Sequence, residues 1–169
     1  MSSNPLTSAI TRTLWPYLKE LGFTQFTARK FARERNGVIQ QLWVDANGSG
    51  GARRTIVVLC VNFPFGPVEG YMDPHGFRIS NGRSWNMSSV DSAARAMEQI
   101  VATLRAGELE RLDTLSDLDA MVAALRPLTY RNWHEACSRQ LEMWRNDDPE
   151  LRSAADENRR TLKLSSPPG

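Results

Sequence analysis

Cysteine and histidine are scarce in this sequence, with two of each among 169 residues. Cys60 and Cys137 lie far apart in apolar or helical contexts, so they read as buried free thiols rather than a disulfide staple. Two histidines leave little material for a metal site or a His-based triad. Long apolar runs are missing as well: the longest, Ile56 to Val61, falls far short of a bilayer span. Met1 to Thr13 has no apolar stretch behind a basic start, which predicts no secretory leader and a cytoplasmic protein. No repeat of solenoid spacing is present.

What is there is ordinary globular material, 41% hydrophobic and 24% charged. A domain of this length buries about 70% of its unfolded surface, so neither a disulfide nor a metal is required for stability. One domain over residues 1–164 with a frayed tail at 165–169 is expected. Charge is unevenly spread. Residues 1–89 carry ten Lys/Arg against five Asp/Glu, and residues 90–169 carry eleven against fourteen, so the halves could attract each other or face different partners.

Ile10, Leu14, Leu18 and Leu21 recur at helical spacing and predict a helix over Thr7 to Leu21, kinked at Pro16 and stopped by Gly22. Asn36-Gly37 between two half-apolar runs predicts a β-hairpin with a two-residue type I′ turn, whose central residues both need φ > 0. In that register Arg35 faces Val38, Arg33 faces Gln40, Phe31 faces Leu42 and Arg29 faces Val44, leaving the arginines at the rim or in polar networks. Asn47 to Gly51 reads as a flexible connector, and Thr55 to Phe63 as a central strand. Asn81-Gly82 suggests a second hairpin between Phe77–Ile79 and Ser84–Met87. Helical stripes follow: Val90 to Leu104 with Ser88 or Ser89 as N-cap and Gly107 as stop, Leu118 to Leu125 behind Ser116, Tyr130 to Trp144, and Pro149 to Leu162. Together these predict an α+β fold, an antiparallel sheet of about five strands with an N-terminal helix and a C-terminal group of helices packed on one face.

Leu18-Lys-Glu-Leu-Gly-Phe23, then Lys30-Phe-Ala-Arg33, the Asn-Gly turn and a long strand together resemble an uncharacterised bacterial domain-of-unknown-function family. Gly107 to Leu112 and Ser116-Asp-Leu118 extend the resemblance, which covers about residues 6–126. Where that family often carries Asn-Phe-Gln in the second hairpin strand, this chain reads Leu42-Trp-Val-Asp45; where the third strand often holds Asn and Gly, it has Val58 and Cys60. The resemblance implies no activity.

Sites of chemistry are sparse. His134-Glu-Ala-Cys137 lacks the second histidine of a zinc-protease helix, since position 138 is serine, so no metal is expected and Cys137 reads as core on the tryptophan stripe. Trp133 and Trp144 on the same stripe also read as core. Asp73-Pro-His-Gly76 reads as a turn with an exposed His75, and no Gly-x-Ser-x-Gly elbow accompanies it. Gly48, Gly50 and Gly51 precede a strand rather than a helix, which favours a flexible connector over a phosphate loop. The remaining constellation is basic and aromatic: Arg29, Arg33, Arg35, Trp43, Arg53, Arg54, Arg78, Arg83 and Trp85, with Lys30 and Phe77 beside them. Such a face suits an acidic protein partner, or nucleic acid with arginines on phosphates and aromatics on bases. The isoelectric point of 8.7 is only mildly basic. The expectation is a non-enzymatic protein-binding module without cofactor, of the immunity or inhibitor type, with nucleic-acid binding as the alternative.

Overall fold

The computed structural model describes residues 4–47, 54–70 and 73–165. Among these, six antiparallel strands form one sheet: β1 (Thr24–Thr27), β2 (Lys30–Arg35), β3 (Val38–Asn47), β4 (Arg54–Asn62), β5 (Gly76–Arg78) and β6 (Trp85–Asn86). The order is β1-β2-β3-β4, with β5 and β6 both paired to β4. The fold is α+β, as expected from strands early in the chain and helices late. Of the expected connector Asn47 to Gly51, Asn47 ends β3, while residues 48–51, the candidate Arg53 and residues 166–169 of the tail lie outside the described residues.

Asn36 (φ 52°) and Gly37 (φ 75°) make the two-residue turn. The ladder keeps the register that this turn sets: Arg35 opposite Val38, Arg33 opposite Gln40 and Phe31 opposite Leu42, while Val44 N–H donates to the Arg29 carbonyl at 2.9 Å. Alternation then sends Phe31, Leu42, Val44, Val57, Leu59 and Val61 into one core. The opposite face buries a smaller set, Ala32, Ile39, Val68 and Leu162.

The second Asn-Gly pair does not make a hairpin. Ser80 (φ 49°) and Asn81 (φ 53°) lie in a 3-10 turn over Ile79–Gly82, and β5 and β6 bond to β4 instead of to each other. The long central strand supplies ladder partners to both, so this edge is one interrupted strand. The sixth strand, beyond the five expected, is β1, which pairs with β2 ahead of the hairpin.

The first helical segment runs α1 (Pro5–Ala9), a π turn (Ile10–Leu14) and α2 (Trp15–Glu20). Pro16 cannot donate to the carbonyl four residues back and its ring would crowd that carbonyl. The widened turn absorbs the conflict: Trp15 N–H bonds Ile10 O, five residues back. Ser89 caps α3 (Val90–Thr103) through a capping box with Ser92. Gly107 (φ 137°) leaves helical geometry and breaks the helical path as expected, and the chain kinks there into α4 (Leu109–Asp113). Asp117, not Ser116, caps α5 (Leu118–Ala124), accepting from Ala120 N–H. Ser116 is instead buried, donating to Leu112 O and accepting from Gln40 Nε2. α6 (Arg131–Arg145) and α7 (Pro149–Thr161) complete the chain, and Arg159 of α7 binds both oxygens of Glu34 at 2.8 and 2.9 Å.

Candidate functional site: an apolar cleft beside His75

Pro64, Gly66 and Pro67 stop β4 and turn the chain, with Gly66 N–H on Phe63 O at 3.0 Å. Asn158 of α7 holds this turn, donating through one nitrogen to the Pro64 and Gly66 carbonyls at 2.8 and 2.7 Å. The turned segment stands opposite α5 and α6. Between them lies a cleft of about 420 Å³. Val61, Asn62 and Phe63 form one wall, and Met121 with Leu125 the second. Trp133, Ala136, Cys137 and Gln140 of α6 form the third, with Glu69, Asp73 and His75 on the connecting segment.

His75 is the best-fixed polar group of the cleft. Its Nε2–H donates to the Met121 carbonyl at 2.7 Å, which leaves the lone pair on Nδ1. Its ring meets Phe63 edge-on at 5.8 Å, and its carbonyl accepts from Val61 N–H at 2.8 Å. Burial lowers its pKa below the ordinary 6.5, and the Met121 bond offsets this only in part. The imidazole is therefore neutral at pH 7. The turn reading of Asp73 to Gly76 left His75 exposed; it is half-buried because its segment is pinned to β4.

Neither thiol is activated. Burial pushes Cys60 up to about 12 and raises Cys137, which lies half-buried on the cleft wall rather than fully in the core. Glu69 and Asp73 are exposed carboxylates, and no Lys or Arg is among the lining residues described. Trp133 departs from its sequence reading: it is 45% exposed, whereas Leu141 and Trp144 of the same stripe are buried. The stripe outruns the core. Its later turns meet the interior, where Phe65 stacks obliquely on Trp144 at 5.2 Å, while its first turn reaches only Tyr130 and the cleft.

The basic and aromatic residues singled out from the sequence are spread through the fold. Arg33 is 8% exposed, its Nε bonding Gln40 Oε1 at 2.6 Å and its Nη1 the Leu21 carbonyl at 2.7 Å. Asp113 lies 3.6 Å from Arg33 and 2.9 Å from Arg35. Arg29 is half-buried, exposed Arg54 reaches Ser84 at 3.2 Å, and Arg83 reaches Gln99 at 3.3 Å and covers the Trp85 ring. Trp85 is buried in the core, so its hairpin position does not make it an exposed anchor. Trp43 is half-buried under Lys30, whose ammonium sits 4.1 Å from the ring centre, and Arg78 lies two strands away on the same face. That face is opposite to the one carrying Arg33 and Arg35. Among the described residues, Arg33 and Arg35 converge on Asp113. No cluster of three His, Cys, Asp or Glu able to hold a metal occurs among the described residues.

Trp133, Met121, Glu69 and Phe63 were not read from the sequence as one site. The only available signal was that Trp133 opens its helix just after the Pro127 break, where a stripe has least core to meet. Comparisons with protein-family models, with curated proteins and with solved structures found no match.

Proposed function

We propose that this chain is a non-enzymatic protein-binding module whose contact surface is centred on the cleft between residues 63–70 and 73–75 on one side and helices α5 and α6 on the other. One observation carries the reading: a large aromatic, Trp133, is held 45% exposed over an apolar cleft while Leu141 and Trp144 of the same stripe are buried in the core. Tryptophan is among the residues enriched at interface hot spots, because it removes much apolar surface from water at little cost in side-chain freedom. Blocking another protein by surface complementarity needs no activated nucleophile, and both thiols here are held protonated by burial. An immunity or inhibitor role belongs to this class. The hairpin arginines support an acidic partner or nucleic acid less well, because Arg33 and Arg35 are already engaged by Asp113.

The test is capture from a lysate of the source cell on the immobilised wild-type chain and on Trp133→Ala, with melting curves run in parallel. Trp133 is exposed, so the variant should melt within a few degrees of the parent. A protein retained by the wild type and lost on the variant supports the reading. Equal retention, or none above background on either, overturns it.

A further inference from the structure

The charges around the cleft narrow what it holds. Its apolar floor is Val61, Phe63, Met121 and Leu125, yet its mouth carries the exposed carboxylates of Glu69 and Asp73 and, among the described lining residues, no cation to answer them. His75 adds an acceptor, because its Nε2–H is committed to Met121 and only the Nδ1 lone pair remains. The exposed ring of Trp133 offers a π face. Acidic acceptors, an aromatic face and an apolar floor complement a group with a long apolar stem and a flat, donor-rich cationic head. An ammonium has the charge, but its compact, strongly hydrated head suits the indole face less well than a planar guanidinium does.

We propose that the partner inserts an arginine side chain into this cleft, the guanidinium lying against Trp133 and between Glu69 and Asp73; this rests on the protein-binding reading above. The stem covers the apolar floor and the head stays at the mouth, where it remains partly hydrated.

The probe is a capped pentapeptide, acetyl-Ala-Leu-Arg-Leu-Ala-amide, beside versions in which citrulline, norleucine or glutamate replaces the arginine. Citrulline keeps the planar shape but loses the charge and exchanges one NH2 donor group for a carbonyl acceptor. Binding is read from the Trp133 indole N–H and the Gly70 amide in nitrogen-proton correlation spectra. The arginine peptide should shift both signals, and the citrulline peptide should bind about tenfold more weakly. Replacing both carboxylates, Glu69→Gln with Asp73→Asn, should weaken the arginine peptide about fivefold and leave the citrulline peptide unchanged. Equal binding of the citrulline, norleucine or glutamate peptide overturns the proposal, as does an arginine peptide that shifts neither signal. The two readings fail separately. A Trp133-dependent protein partner without any arginine preference overturns the arginine and keeps the module, whereas arginine-selective binding without such a partner does the reverse.

Discussion

Removing the Arg33 guanidinium would leave Gln40 Oε1 and the Leu21 carbonyl without the donors they now have at 2.6 and 2.7 Å, and Asp113 without one of its two cations. A buried acceptor that loses its partner costs the full desolvation of that group, so Arg33→Met should destabilise the protein by about 2–4 kcal/mol. Urea denaturation of the variant beside the parent checks this, and a loss below about 0.5 kcal/mol would contradict it. His75 sets a pH dependence. In the unfolded chain it takes a proton near 6.5, and in the folded chain only at lower pH because burial disfavours the charged ring. Between those two values the unfolded state binds more protons, so stability rises with pH. The contribution is whole above the unfolded value and is lost as pH falls from it toward the folded one. The urea midpoint should therefore fall between pH 7.5 and 5.5, and His75→Gln should remove part of that fall. An identical pH profile in both proteins would contradict it.

At the scale of elements, the Asn36-Gly37 turn is the part most dependent on local backbone chemistry. A Cβ at Gly37 would meet no described atom within 4 Å, so the cost of Gly37→Val is conformational, a β-branched residue at φ +75°. The loss should be on the order of 1–3 kcal/mol, read as a lower denaturation midpoint, and an unchanged midpoint would contradict the turn. This turn was legible in the sequence because its demand for positive φ is met within two residues, and the register of β2 and β3 follows by counting. The same dipeptide at Asn81-Gly82 misled because β4, not the turn, decides which strands pair. Ser116 misled in the same way: Gln40, far away in sequence, takes its hydroxyl, and the cap passes to Asp117. Trp133 was illegible for another reason. Helical spacing says that a face is apolar, and it is silent on whether that face meets a core or a cleft.

Across the whole molecule, the charge imbalance between the two halves becomes attraction. Arg33 and Arg35 of the basic half grip Asp113 of the acidic half, while Glu34 and Arg159, 2.8 Å apart, tie the halves with the signs reversed. These ties link the hairpin to α4 and α7, while Asn158 of α7 props the turn that walls the cleft. Arg33 and Arg35, expected as part of a binding face, instead tie the hairpin to α4, and the proposed contact surface is the one around Trp133. That is the central claim, and a dissociation constant measured for the captured partner tests it most directly. Trp133→Ala should weaken binding at least about tenfold, while the combined Arg54→Ala, Arg78→Ala and Arg83→Ala variant should stay within about threefold of the parent. A partner that tolerates the loss of Trp133 but fails on the arginine variant would contradict the account.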